Sequence, residues 1–366
     1  MAPRKKGNKK KSQKSFFKNH KAELISLAIV LFLIILNFVY KLIPMFVEQF
    51  HSRFFYKIIM VPLTYITGYL PFSLFEILII PLIVLLIFFL IKNRKYFLKI
   101  ISVTICVLFS FYTIALSMNY SRMPLDIIFD IPVMTSTNED VAKALSFTIS
   151  KLQTLVPKIE YENGVSTYNK PFSDMSAETN TTFKKLATKY DFLKGGVTFP
   201  KPLLSSKLVS YTGTCGFFSP YTFEANINTA FPSFSLPQTL CHEAAHLKGF
   251  ARENEADFIG FVACVSSDDL FFQYSGYMSA FNSLGNELAV RDSSLYKATL
   301  QNIDPAILAD WKEYFDYSKL HEGKIEKISS SLNDAYIKSQ GDENGIQSYS
   351  NDIELIIAYI KSTSLN

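Results

Sequence analysis

Histidine and cysteine are scarce in this 366-residue chain, which holds 5 of the first and 4 of the second. So few cysteines build no disulfide framework, and the lack of a second Cys/His cluster argues against a structural zinc finger. Cys106 falls in an apolar run. That leaves Cys215, Cys241 and Cys264, which cannot all pair. Acidic residues are missing from Met1 to Lys21, a stretch rich in Lys and Arg. Beyond that tail acids outnumber bases, so nothing else invites nucleic acid, and no nucleic-acid partner is expected. The chain shows no internal repeat, and no low-complexity segment outside the tail. No small-residue cleavage site follows the first apolar run, which predicts an uncleaved span in place of a signal peptide.

What is present divides sharply along the chain. Hydrophobic residues make up 49% and the mean hydropathy is +0.16, with most of the excess before Met118. Runs at about 24–46, 72–91 and 100–118 are long enough to cross a bilayer, and Pro81 in the second is tolerable there. Phe54 to Leu70 is apolar and aromatic but broken by Lys57, Pro62 and Gly68, which favours an amphipathic segment lying in the membrane interface, with a fourth span as the alternative. The basic tail (1–21) and the loop carrying Lys92, Arg94, Lys95 and Lys99 both belong on the cytoplasmic side by the positive-inside rule. A multi-pass protein of the cell membrane follows, with a cytoplasmic N-terminus, a membrane region over 22–118 and an extracytoplasmic domain over 119–366.

The expected fold of that domain is α+β and mostly helical. Ser136-Thr137-Asn138 reads as a cap for a helix over 137–160, and a second helix follows over 176–190, with a polar loop, Glu162 to Ser173, between them. Residues 207–228, rich in β-branched and aromatic side chains and broken by Gly213, Gly216 and Pro220, predict a small antiparallel sheet. Phe223 to Asn228 is expected as an edge strand, with Asn226 and Asn228 available to an extended peptide by β-augmentation. From Pro237 the pattern is helical, with helices near 251–266, 269–288, 304–320, 323–338 and 348–362.

The run Leu240 to Asp257, LCHEAAHLKGFARENEAD, carries the chemistry. His242 and His246 stand four apart, so on a helix both imidazoles lie on one face and can reach one metal ion. Glu243 between them can serve as general base toward a zinc-activated water. Lys248-Gly249 reads as a helix stop. In the helix beyond it Glu253 and Asp257 share a face, so Glu253 is the expected third ligand and Asp257 an orienting acceptor for a ligand histidine, with Glu255 the alternative ligand. Tyr274 and Tyr277 are weaker candidates for steadying an oxyanion. Cys241 is expected to be buried packing, and His321 a surface residue.

HExxH followed by Glu253-Asn-Glu-Ala-Asp257 resembles the gluzincin metallopeptidases, including membrane-embedded ones with an ExxAD second motif. That resemblance implies a zincin-like fold, one Zn2+ per chain on His242, His246 and Glu253, Glu243 as the base and Asp257 behind a ligand. Two departures stand out: the gap between His246 and Glu253 is short for gluzincins, and Arg252 occupies the place of a metzincin's third histidine. The stretch from Tyr211 to about Tyr277, with GFFSPYTFEANIN and QYSGY, is also similar to a bacterial family of membrane-anchored HExxH proteins catalogued only as a domain of unknown function. The expected activity is that of a membrane-anchored zinc metallopeptidase, a hydrolase acting on a protein or peptide substrate. The alternatives are a non-catalytic zinc-stabilised domain that binds envelope material and a zinc amidase that acts on it.

Overall fold

The computed structural model describes residues 20–92, 96–341, 345 and 352–364; most of the expected basic tail, with Arg94 and Lys95, lies outside them. The chain begins with α1 (Lys21–Lys41), runs through a π-helical stretch (Val47–Phe55) into α2 (Tyr56–Gly68), and continues with α3 (Leu74–Lys92) and α4 (Phe97–Ala115). Helices α1, α3 and α4, the last prolonged to Ser121, are long and apolar enough to cross a membrane. They leave large apolar side chains exposed, among them Phe38, Ile80 and Ile105.

Helix α2 occupies the stretch expected in the membrane interface, and its two faces differ. Tyr56, Met60, Thr64 and Thr67, spaced four, four and three apart, are buried. Ile58, Tyr65 and Ile66 on the other side are exposed. The buried face forms a small second core with Ala115, Phe218, Phe223 and Leu247, which joins the apolar helices to the rest of the chain.

The domain continues with α5 (Asn138–Leu155), β1 (Glu160–Glu162), β2 (Val165–Thr167), α6 (Phe172–Lys189), β3 (Lys201–Pro202), β4 (Gly216–Ser219), β5 (Glu224–Ile227), α7 (Leu236–Leu247), α8 (Glu253–Ser266), α9 (Leu270–Arg291), α10 (Pro305–His321), α11 (Lys324–Ser339) and α12 (Ile353–Ser364). It is a mostly helical α+β arrangement with a small antiparallel pairing at its centre. Helix α5 starts where its cap predicts: Asp140 N–H donates to the Thr137 hydroxyl and Thr137 N–H donates to the Asp140 carboxylate, a capping box. The helix ends at Leu155, short of the expected 160, and the β1–β2 hairpin takes Glu160 to Thr167, including the start of the stretch expected as a polar loop. Asn163 and Gly164 both take positive φ there, the geometry of the two-residue turn that suits twisted strands.

The larger sheet has the order β3-β5-β4, with β3 parallel to β5 and β4 antiparallel to it. Strand β5 is therefore central, and the expectation that Phe223 to Asn228 forms an edge is corrected. The reason is chain return: Lys201-Pro202 pairs with Asn226 and Ile227 from the far side. The free edge toward α7 belongs to β4.

Helix α7 lies under this sheet and against α8. The two helices approach closely at Gly260, where an added Cβ would come within 3.1 Å of the His242 backbone nitrogen. The segments flanking the apolar helices grip the end of α7. Tyr56 Oη donates to the Leu247 carbonyl at 2.8 Å and Arg122 to the Gly249 carbonyl at 2.9 Å. Arg122 is itself buried, paired with both oxygens of Glu48 at 2.7 and 2.9 Å and stacked 3.8 Å over the Phe250 ring. The sheet in turn caps α3: the Glu224 carboxylate accepts from Leu74 N–H and Phe75 N–H, a negative charge at the positive end of the helix dipole.

Candidate metal centre

Helix α7 places His242 and His246 on one face, both nearly inaccessible to solvent. Each ring is fixed through its Nδ1. That of His242 donates to Asp257 Oδ1 at 2.6 Å, and that of His246 donates to the Phe250 carbonyl at 2.7 Å. With Nδ1 protonated in the neutral ring, Nε2 is left as an electron-pair donor. The two Nε2 atoms lie 2.9 Å apart, and Glu253 Oε2 lies 3.3 Å from each.

Three such donor atoms converging this closely repel one another unless a cation, a metal ion or a proton, sits between them. Ligands about 2.0–2.1 Å from a tetrahedral zinc stand about 3.3–3.4 Å from one another. Both Glu253 separations match this spacing, and the histidine pair is slightly closer. His242, His246 and Glu253 thus fit a divalent metal by donor type, direction and spacing, with all three ligand atoms within 4.8 Å of one another.

Gly249 makes so short a motif possible. It takes φ +88°, ends α7, and reverses the chain so that Glu253, in the first turn of α8, returns to the histidine face. Arg252 just before that turn donates to the carbonyls of Tyr120 and Arg122 and to Glu255 at 2.6 Å. Glu255 is therefore turned away and neutralised. Glu253 is the carboxylate that meets the histidines.

Glu243 is buried, and among the described residues its Oε2 has no hydrogen-bond partner. Across from it is Gly216 of β4, where a Cβ would fall 2.9 Å from Glu243 Cγ and 3.0 Å from its Oε1. Burial pushes the Glu243 carboxyl up to about 7, against the pull of His242 and His246. Burial also opposes charge on His242, yet Asp257, Glu253 and Glu243 outweigh it and hold that imidazole well above its usual range. Burial disfavours the Glu253 carboxylate too, and His246 and His242 override it and hold the group well below the usual range.

The site opens on a cleft of about 1040 Å³. Gly216, Phe217 and Phe218 of β4 border one side, and Asn282, Asn286 and Glu287 of α9 border another. Asn228 N–H donates to the Cys215 carbonyl, so by antiparallel alternation Gly216 and Phe218 direct their backbone groups away from β5, along the free edge.

Four residues expected near a substrate are committed elsewhere. Asn228 donates to Ser210 and the Thr214 carbonyl, and Asn226 to the carbonyls of Glu224 and Phe217; both side chains are fully buried because β5 is central. Tyr274 donates to Asp310 at 2.6 Å inside the core, and Tyr277 packs edge-on against Phe261. Neither tyrosine borders the cleft; helix α9 turns both toward the core and presents Asn282 and Asn286 instead. Tyr314 on α10 does border it, with its hydroxyl 3.6 Å from Cys215 Sγ. The nearby Cys215 and burial push that phenol well above its usual range. No spacing in the sequence ties Tyr314 to the histidines; only the fold does. Cys241 and Cys264 are buried thiols, and His321 packs on Tyr317 and Tyr211 away from the cleft.

A family model described as a protein of unknown function (DUF3810) matches residues 51–357. No curated protein and no solved structure matches the chain.

Proposed function

We propose that this chain, which belongs to the DUF3810 family of proteins of unknown function, is a membrane-anchored zinc-dependent metallopeptidase. One observation carries the reading: the unpartnered carboxylate oxygen of Glu243 lies buried beside three converging ligand atoms, at the base of an open cleft. A purely structural zinc site has no use for a buried, unpaired acid and ordinarily recruits a fourth protein ligand.

Bound zinc would supply Lewis acidity, polarising a peptide carbonyl and acidifying water. The remaining work falls to residues of the chain. Glu243 accepts the proton that attack releases and returns it to the leaving nitrogen. Asp257 and the Phe250 carbonyl hold the two imidazoles in the tautomer that presents Nε2. The free edge of β4 aligns an extended peptide beside Glu243 through the backbone groups of Gly216 and Phe218. Tyr314, on the cleft wall, is the phenol placed to donate to a developing oxyanion.

The test is Glu243→Gln, which keeps shape but cannot take up a proton near neutral pH. Metal content and fold should be retained while hydrolysis of a peptide library falls by about 10²–10⁴-fold. Undiminished turnover or cellular function in this variant would sink the peptidase reading in favour of a zinc-stabilised binding domain.

A further inference from the structure

The folded domain exposes apolar side chains where a water-soluble surface would be polar. On α11, Ile325, Ile328 and Leu332 recur at helical spacing and are 59%, 62% and 66% exposed. Leu204, Leu208 and Tyr211, on and beside the short helix Ser206–Val209, are 80%, 73% and 50% exposed. The two groups adjoin through the Tyr211–His321 ring contact and the close approach of Gly213 to Glu326.

Both groups are tied to the ends of the apolar helices that face the domain. Glu76, in the first turn of α3, accepts from Leu204 N–H and Ser205 N–H at 2.7 Å each. At the other end of the patch, Gln340 accepts from Ser117 and donates to Tyr112 at the close of α4, and Gly341 lies beside Lys41 at the end of α1. A patch anchored at both ends to the termini of spanning helices lies level with the membrane surface. The exposed Lys207, Lys324 and Lys327 interleave with it, a composition that suits the boundary between headgroups and acyl chains.

We propose that Leu204, Leu208, Tyr211, Ile325, Ile328 and Leu332 form a belt seated in the headgroup layer of the bilayer that α1, α3 and α4 cross. The occupant is lipid because the belt continues the apolar surface of those helices; a second copy of the chain or a soluble partner would have no reason to meet it at that level. Helix α11 carries the belt on one face and borders the cleft with Ser329, Asn333 and Tyr336 on the next. Seating the belt therefore sets that end of the cleft against the membrane.

The experiment uses the full chain in phosphatidylcholine nanodiscs. Leu208→Trp and Leu332→Trp are each compared with the parent chain, which supplies the background from Trp311, in lipid with and without brominated acyl chains. Quenching of the added fluorescence by twofold or more is expected at both positions, and not at a tryptophan replacing the exposed Lys151. Hydroxyl-radical footprinting of the unaltered chain gives a second measure that needs no variant to fold. The six belt residues should be protected severalfold relative to Met134, which is 75% exposed on a segment outside the belt. Belt tryptophans quenched no more than the one at position 151, or belt residues oxidised as their exposure dictates, would overturn the proposal. Protection that persists in detergent and depends on protein concentration would point to a second copy as the occupant, and would overturn it equally.

Discussion

At residue scale, the competition between Glu253 and Glu255 is decided by partners that no motif spells out. Arg252 occupies Glu255, and the histidines face Glu253. Glu253→Gln is therefore expected to lower zinc affinity strongly, and Glu255→Gln to leave stoichiometry unchanged, as read by metal analysis of purified protein. Asp257→Asn should cost about 10–100-fold in metal affinity, because the amide no longer holds the His242 Nδ1 proton as a carboxylate does. Gly216→Ala probes Glu243 without substituting it. The new methyl would come within 3.0 Å of both Glu243 and the Asn226 carbonyl, so something must shift. Overpacking of this kind costs about 1–3 kcal/mol. The expected result is full metal content with reduced turnover, since the carboxylate is pushed and the ligands are not. Full metal content with undiminished turnover would count against Glu243 as the base.

At the scale of elements, the HExxH helix is short, 12 residues, and draws its stability from what packs on it. Tyr56 satisfies its last carbonyl, that of Leu247, and Arg122 the carbonyl of Gly249 just past its end, both side chains from segments beside the apolar helices. Arg122→Leu would leave Glu48 buried with only Arg53, at 2.7 Å, to balance it. Breaking a buried pair costs about 3–5 kcal/mol, and the remaining arginine places this case at the lower end. Thermal unfolding in nanodiscs should show a clear drop in Tm for the single variant. The pair Glu48→Leu with Arg122→Leu should recover part of that drop, because no charge is then left buried. An unchanged Tm in Arg122→Leu would mean that the α7 terminus does not rely on this clamp. The element boundaries read from sequence hold best where capping is local. Thr137 starts α5, and Gly249 ends α7, because each acts through its own backbone and neighbours within four residues. The β1–β2 hairpin and the short helix Ser293–Thr299 escape such a reading: the first strands are three residues each, and the helix is seven, too short for periodicity to register.

For the whole molecule, the orientation expected in a membrane rests on the basic tail (1–21) and the basic loop between the second and third apolar runs, and it makes a direct test. In intact cells, a membrane-impermeant maleimide should label Lys312→Cys, a position on the far side of the domain sequence whose lysine side chain is 74% exposed. The native thiols at 106, 241 and 264 are buried and contribute little background, and the parent chain supplies the baseline from Cys215 at the cleft. Labelling only after lysis would reverse the topology and place the cleft in the cytoplasm.

The sequence by itself determined the parts whose physics is local. Three apolar runs of spanning length, the pairing of His242 with His246, the place of Glu243 between them and the glycine stop at 249 need nothing beyond helical geometry and hydropathy to be read. It also marked Asp257 as an acceptor for a ligand histidine, because a four-residue step from Glu253 keeps both on one face. Tertiary structure alone decided which strand is the edge, since a two-residue parallel strand from Lys201-Pro202 claims the far side of β5 and carries no periodic signal. It turned Asn226, Asn228, Tyr274 and Tyr277 away from the cleft: Asn226 is enclosed because its strand is central, and the other three meet partners well apart in sequence, to which a pattern along the chain is blind. It also brought Tyr314 to the cleft wall and joined α2 to the end of α7, contacts spanning from tens of residues to nearly two hundred. Such contacts depend on how helices pack, and packing is a property of the whole fold.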